Sequence, residues 1–339
     1  MIKTLLSFTL ALGCVPVVLA QEGLPIMDMH VHTGVEPEMR LALCVPWVTQ
    51  FPPWDPSDGP WKDIWLKAMT EPQCPDPIWS PGSERAVMEE TIAAMERRNV
   101  FGVLSGPQDA AARWMKAAPG RFLPSLQFRI GRDDISPTDM RQIFARGDAA
   151  VLGEISNQYA GIALDDPRME PYWALAEELD IPVAIHIGDG TVGTAYLGFD
   201  DMAAYRARLT NPYDLEDVLV RHPRLRVSVM HLAAPLTDEL IAVLAAHPQV
   251  YTDIGGMQWY YPRAFFYEIL RKVVDAGFST RVMFGSDQGD WAGVIEPAIA
   301  IIEDAPFLDP QQKRNILYNN AARFLRLSKE EGMSRPLLK

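Results

Sequence analysis

The histidines of this 339-residue chain are few and unevenly placed. Four of the six close short runs of apolar residues, where a buried strand would end: His30, His32, His186 and His231. Residues two apart on a strand share a face, so His30 and His32 can point to the same side. Neutral imidazole is a preferred ligand of zinc and of similar divalent cations. The pattern therefore predicts a metal site.

Two carboxylates lie in comparable positions. Asp287 closes the apolar run Met283–Asp287, and Glu154 lies within the run Val151–Ile155. A divalent cation held by imidazoles and carboxylates lowers the pKa of bound water towards about 7, which supplies a nucleophile at neutral pH. We therefore predict a bound divalent cation, with zinc as the leading candidate.

The other two histidines have an ordinary structural explanation. His222 and His247 each precede a proline at the end of a helical pattern. A histidine there can interact with the carboxyl end of the helix dipole. We predict that both are structural.

The elements that must position these side chains alternate along the chain. Amphipathic helical patterns, such as Glu84–Arg98, Pro171–Leu179, Ala264–Ala276 and Ile295–Glu303, separate β-rich runs. Eight strands are predicted, at Ile26–His30, Gly102–Ser105, Phe122–Phe128, Val151–Ile155, Pro182–Ile187, Arg226–His231, Val250–Ile254 and Arg281–Gly285. This alternation favours an α/β fold, a (β/α)8 TIM barrel, whose strand ends converge on one mouth. No strand is followed by the Gly-rich turn of a dinucleotide-binding sheet.

The same motifs resemble the amidohydrolase superfamily. The likeness is to its amidohydrolase-related branch, which includes aminocarboxymuconate semialdehyde decarboxylase, and it extends from about Ile26 to Leu327. The segments that carry it are Met27–His32, Ile181–His186, Val229–Leu232, Met283–Asp287 and Ile316–Leu325. These motifs are specific to the superfamily and not to one substrate.

The resemblance implies a role for each strand-end residue. His30, His32 and His186 would hold the main metal, with Asp287 as a further ligand or as the base that takes the proton of water. His231 would bind a second metal in a binuclear enzyme or act as general acid or base in a mononuclear one.

The resemblance leaves the role of Glu154 open. Some binuclear relatives place a bridging carboxylate or a carboxylated lysine on strand four, and Glu154 is the only such candidate on that strand. Glu154 would either bridge two metals or orient a ligand histidine.

Two reactions follow from the resemblance. The first is hydrolysis, in which metal-activated water cleaves an amide, ester or lactone of a small, planar or aromatic substrate. The alternative is nonoxidative decarboxylation of a small carboxylic acid. A binding protein without catalysis is disfavoured because both Asp287 and His231 are present.

Residues beyond the metal motifs suggest how a substrate is held. Trp259 and Tyr260 follow strand seven, and aromatic side chains at a mouth suit a planar substrate. Arg129 ends strand three and would bind a substrate carboxylate or pair with a structural acid.

The amino terminus predicts export. Residues 1–20 combine a basic start, an apolar stretch and small residues before Gln21, as in a cleaved signal peptide. The mature chain, residues 21–339, then forms a single barrel domain. Cleavage leaves Cys44 and Cys74, which an oxidising compartment would join, although two free thiols remain an alternative. They flank most of a Trp- and Pro-rich loop, about residues 41–80, predicted to cover the mouth.

Composition limits the partners. Apolar residues make up 48% of the chain, which excludes extended disorder. The 31 basic and 44 acidic residues give a net charge of −13, and such a surface repels nucleic acid. No stretch after the leader is long and apolar enough to span a membrane. We therefore expect a small-molecule substrate. Either a monomer or a homo-oligomer is compatible with the sequence.

Overall fold

The computed structural model of the protein describes residues 23–34, 39–199 and 202–327. The predicted signal peptide, residues 1–20, lies outside them. Within the described residues the strands are β1 (Ile26–His32), β2 (Ala42–Leu43), β3 (Ile78–Trp79), β4 (Val100–Ser105), β5 (Phe122–Phe128), β6 (Val151–Ile155), β7 (Val183–Ile185), β8 (Val227–Val229), β9 (Val250–Asp253) and β10 (Val282–Met283).

Eight of these strands form a parallel barrel. Their order is β1-β4-β5-β6-β7-β8-β9-β10, and each listed neighbour pairs in parallel. The ends of the sheet meet, because Met29 N donates to Phe284 O at 2.9 Å and Asp287 N donates to His30 O at 2.8 Å. The predicted (β/α)8 barrel is confirmed, and each predicted strand is present at nearly its predicted position.

Helices surround the barrel. They are α1 (Trp61–Thr70), α2 (Glu84–Arg97), α3 (Gln108–Ala117), α4 (Pro137–Arg146), α5 (Glu170–Glu178), α6 (Glu216–Arg221), α7 (Thr237–Ala246), α8 (Met257–Tyr260), α9 (Arg263–Val273), α10 (Ile295–Glu303), α11 (Pro310–Arg314) and α12 (Asn320–Phe324). Their apolar faces bury the outside of the sheet, where Trp114, Trp173 and Phe266 are fully inaccessible to solvent. Among the described residues no helix is long and apolar enough to cross a membrane.

Three barrel strands change register near their carboxyl ends. The shifts fall between Asp28 and Val31 in β1, between Leu126 and Phe128 in β5, and between Leu152 and Ile155 in β6. An irregularity of this kind locally redirects side chains and is frequent beside active sites. His30 lies within the irregular part of β1, and Glu154 lies within that of β6.

The segment predicted as a loop after strand one is folded. Residues 41–80, called the insert below, contain α1 and the antiparallel pair β2–β3, in which Leu43 faces Ile78. Cys44 and Cys74 form a disulfide, with their Cα atoms 5.9 Å apart. The sequence analysis did not predict a helix within this segment; α1 forms there and buries one face, on which Trp61 and Met69 are both buried.

Candidate metal centre

The carboxyl ends of the barrel strands surround a cavity of about 330 Å³. Its lining includes five of the six residues predicted to bind metal or act in catalysis: His32, Glu154, His186, His231 and Asp287. The sixth, His30, lies directly beneath them and is 1% exposed. The barrel therefore brings together all six strand-end residues singled out from the sequence.

His30, His32 and Asp287 form one group of facing donor atoms. The Nε2 atoms of His30 and His32 are 3.0 Å apart. Asp287 Oδ1 lies 3.5 Å from the first and 3.2 Å from the second. Barrel closure produces this group, since β1 and the segment after β10 are neighbours only across the seam.

His186 and His231 form a second group on adjacent strands. His231 Nε2 lies 3.1 Å from His186 Nδ1. The outward nitrogen of each ring has its own partner: His231 Nδ1 donates to Gly255 O at 2.8 Å, and His186 Nε2 lies 3.4 Å from the Tyr159 hydroxyl. The inward nitrogens are therefore available as ligands.

Glu154 lies between the two groups. Its Oε2 is 3.7 Å from His30 Nε2 and 3.6 Å from His32 Nε2. Its Oε1 contacts His186 Nδ1 and is 4.0 Å from His231 Nε2. One carboxylate thus presents a different oxygen to each group.

These residues fit a divalent cation. Two ligands of one zinc ion, each about 2.0–2.1 Å from the metal, lie roughly 3.3 Å apart in tetrahedral geometry. The separations among His30, His32 and Asp287 are close to that value, and imidazole with carboxylate is a donor set suited to zinc. His30, Glu154 and His231 form a second set with donor atoms within 4.8 Å of one another.

Burial and neighbouring rings set the charges of the cluster. Burial opposes ionisation of Asp287, but His30 and His32 outweigh it and hold the pKa of this carboxyl well below its usual range. Burial likewise opposes ionisation of Glu154, and His186 reverses this to keep its pKa low. Burial, reinforced by His186 and His30, lowers the pKa of His231 to about 4, so that its ring is neutral at pH 7.

Aromatic side chains, among them Trp259 and Tyr260, line the cavity. Trp259 Nε1 donates to Ser286 O at 2.9 Å, and the Tyr260 hydroxyl donates to Gly190 O at 3.0 Å. Their polar atoms are thus held by the backbone, which leaves ring surface for the cavity. Trp47 from the insert packs on both, with ring centroids 5.6 Å from each.

The insert is attached to the mouth at further points. Trp61 Nε1 donates to Val192 O at 3.0 Å, and Trp65 Nε1 donates to Thr191 Oγ1 at 3.2 Å. Both acceptors lie in the loop after β7, which carries the cavity residue Gly190. The insert therefore supports the cavity wall.

Arg129 lines the cavity and also has a structural partner. Its Nη2 lies 3.2 Å from Asp133 Oδ1, and its backbone N donates to Asp133 Oδ2 at 2.7 Å. The structural acid weighed in the sequence analysis is therefore present, and binding of a substrate carboxylate by Arg129 stays a prediction.

The polar and aromatic cavity residues that the sequence analysis did not identify include Tyr159, Asp189 and Trp291. Asp189 follows β7 and contacts the Tyr261 hydroxyl. Its position shortly after the strand-end histidine His186 is a sequence signal that could have identified it. Tyr159 and Trp291 lie in loops, and only the closed barrel shows that they face the mouth.

Comparison with known proteins supports both fold and family. A family model described as Amidohydrolase matches residues 27–327. A TIM-barrel protein from Bordetella bronchiseptica has 19% identity and a TM-score of 0.59, over 89% of this chain and 99% of that one. No curated protein matches the sequence.

Two solved enzymes have the same fold at lower identity. A probable 2-pyrone-4,6-dicarboxylic acid hydrolase from Acinetobacter baumannii is 16% identical, with a TM-score of 0.54 over 89% of this chain and 99% of that one. The 5-carboxyvanillate decarboxylase of Sphingomonas paucimobilis is also 16% identical, with a TM-score of 0.54 over 90% and 100%. At such identities the likeness shows the fold alone.

Proposed function

Because the chain belongs to the amidohydrolase family, we propose that it is a hydrolase in which metal-activated water cleaves an amide, ester or lactone. The position of Glu154 carries this proposal. Its two oxygens face two separate groups of imidazole nitrogens, as expected of a carboxylate shared by two metal ions. We therefore favour two ions, zinc first among the candidates.

Asp287 is the proposed base. A bound divalent cation would lower the pKa of water and polarise a substrate carbonyl. The Asp287 carboxylate is ionised at neutral pH, is 22% exposed and faces the cavity. It is placed to accept the proton of the attacking water and to deliver it to the leaving group.

His231 is better suited to ligation than to acid catalysis. Its Nδ1 proton is committed to Gly255 O, and its Nε2 faces His186 and Glu154. With a pKa of about 4 the ring carries no acidic proton on Nε2 at pH 7. We assign His231 to the second ion together with His186.

The cavity limits the substrate. A volume of about 330 Å³ is near the lower end for small-molecule sites and suits a compact substrate. Trp47 and Trp259 offer flat apolar surface, and Arg129 at the wall offers a positive group for a carboxylate. We infer a small, planar substrate that carries an acidic group.

Metal analysis with a reaction panel tests the function. We expect two zinc equivalents per chain, loss of activity on chelation and recovery with zinc or manganese. Glu154→Gln keeps size but removes the charge, and should reduce the metal content towards one. Full activity of a metal-free enzyme would contradict the proposal.

The panel also separates hydrolysis from decarboxylation. Lactones, aryl esters and N-acyl amino acids report hydrolysis by acid release, and aromatic carboxylic acids report decarboxylation by carbon dioxide release. The hydrolase and the decarboxylase named above are equally similar to this chain in fold, so only the measured reaction product distinguishes the two functions. Carbon dioxide as the sole product would replace our proposal by the alternative.

Export through cleavage of residues 1–20 is a separate proposal. The Cys44–Cys74 disulfide supports it, because disulfides persist mainly in oxidising compartments. Protein recovered from its native cells should begin at Gln21 by mass spectrometry. A mature protein that retains residues 1–20 would contradict it.

A further inference from the structure

The end of β9 supplies none of the predicted ligands, yet it contacts several of them. Asp253 is its last residue and is 1% exposed. Asp253 Oδ1 accepts hydrogen bonds from His231 N at 3.2 Å and from Gly255 N at 2.9 Å. Gly255 O in turn accepts the Nδ1 proton of His231. This carboxylate therefore fixes the backbone that orients the His231 ring.

The same carboxylate faces the ring of His30. His30 Nδ1 is buried and has no hydrogen-bond partner among the described residues. Asp253 Oδ1 lies 4.0 Å from it, and Asp253 Oδ2 is likewise buried without a partner there. A buried polar atom without a partner is energetically costly, so a small closing movement that pairs these groups is favourable.

The two glycines after Asp253 allow this close approach. A Cβ on Gly255 would lie 2.6 Å from His30 Nδ1, and a Cβ on Gly256 would lie 2.8 Å from Asp287 Oδ2. Both distances are shorter than real contacts, so side chains at these positions would displace the ring or the carboxylate. The segment 253–256 thus forms a close-fitting wall behind the cluster.

We propose that Asp253 is a positioning residue that holds the proton of His30 on Nδ1 and so keeps Nε2 available to the metal. A histidine ligand commonly gives its other ring proton to a carboxylate, which fixes tautomer and orientation and raises ligand basicity. This inference rests on the proposed function, because it requires that His30 bind metal.

Asp253→Asn is the sharpest test. The amide oxygen can still accept from His231 N and Gly255 N, which preserves the backbone contacts. The same oxygen faces His30 Nδ1, but a neutral amide oxygen is a weaker acceptor for the Nδ1 proton than a carboxylate, so the tautomer that leaves Nε2 free for metal loses stability. We expect zinc affinity to fall about 10- to 100-fold, measured on metal-free protein with zinc alone and a competing chromophoric chelator.

Thr252→Val is the matched control on the same strand. Thr252 is fully buried and donates to Val229 O at 2.6 Å, but it makes no contact with a predicted ligand. This variant should lose stability while its zinc affinity stays within about twofold of the native value. An equal zinc affinity in Asp253→Asn and the native protein overturns the positioning role. A native protein that binds no zinc refutes the proposed function itself.

A spectroscopic readout separates positioning from general structural support. Long-range 1H–15N spectra of histidine rings show which nitrogen carries the proton. In metal-free protein, at a pH where the 15N shifts show a neutral His30 ring, His30 should carry the proton on Nδ1 in the native chain and in Thr252→Val. In Asp253→Asn the fraction with the proton on Nε2 should increase. The same tautomer in all three proteins would contradict the inference.

Discussion

Histidines meet carboxylates in two regions of this molecule, and the two arrangements differ. At the barrel mouth, imidazole nitrogens from three strands face one another across 3.0–3.1 Å and share Glu154 and Asp287. On the helical shell, His222 lies between two acids: its Nε2 is 2.9 Å from Glu170 Oε1 and its Nδ1 is 3.3 Å from Glu177 Oε2.

The directions of the ring nitrogens distinguish a ligand cluster from a structural contact. At the mouth several nitrogens converge, an arrangement that a cation stabilises. The two nitrogens of His222 point at separate acids and join the end of α6 to α5, which agrees with the structural role predicted for it. We therefore expect substitutions at the mouth to change activity more than stability, and substitutions on the shell to do the reverse.

The largest effect is expected from Asp287→Asn. Loss of the proton acceptor should lower turnover about 10²- to 10⁴-fold, while the protein keeps its fold and its metal. Turnover, metal content and unfolding free energy are the measurements, with the exposed Asp275→Asn as a matched control. Loss of metal as well would make Asp287 chiefly a ligand, and normal turnover would refute both roles.

The double substitution Cys44→Ser with Cys74→Ser addresses the insert that covers the mouth. Opening a loop with a sequence separation of 30 should reduce the unfolding free energy by at most roughly 3–4 kcal/mol. Because Trp47 packs on Trp259, KM should rise more than kcat falls. Denaturant unfolding, metal content and steady-state kinetics measure this. If the variant also loses metal, the insert is required for metal binding and not only for substrate affinity.

Replacement of His222 by alanine should have a smaller effect, confined to stability. Two hydrogen-bond contacts to acids disappear, so we expect a loss of about 1–2 kcal/mol in unfolding free energy. His247→Ala is the control, since His247 ends α7 with a single acid, Glu216, at 3.5 Å. A change in zinc content in either variant would contradict the distinction between metal-binding histidines at the mouth and structural histidines on the helical shell.

The smallest expected effect is a gain in stability and not a loss, and it comes from replacing Asp189. Burial raises the pKa of Asp189 above its ordinary 3.8, and no described lysine or arginine pairs with it. The folded state then binds more protons than the unfolded state, so native stability falls as pH rises from 3.8 through the folded pKa. Asp189→Asn should therefore be more stable than the native protein at pH 7, by roughly 0.5–1 kcal/mol, and this gain should disappear as the pH falls well below 3.8.

Thermal unfolding of both proteins across that pH range is the measurement for Asp189→Asn. A gain that does not depend on pH would show that ionisation of Asp189 is not its cause. A gain at neutral pH with loss of activity would indicate that the mouth keeps this charge for substrate binding.

Much of the fold was predictable because its signals are local. Buried strands such as Phe122–Phe128 are continuous runs of mostly apolar residues, and helices such as Ile295–Glu303 repeat their apolar residues with helical spacing. The insert was less predictable. Its many prolines indicate a loop, whereas the ten-residue α1 buries Trp61 and Met69, and Trp61 Nε1 donates to the distant Val192 O.

The amino-acid sequence shows which residues stand at strand ends, because a strand, its burial and its last residue all depend on a few consecutive positions. It therefore identified His30, His32, His186, His231 and Asp287. It did not determine their distances, the shared position of Glu154, the pairing of Arg129 with Asp133 or the contact of Asp253 with His30. These depend on barrel closure and on local register shifts, which bring together residues up to about 260 positions apart. Long-range packing decides such contacts, and no local pattern encodes it.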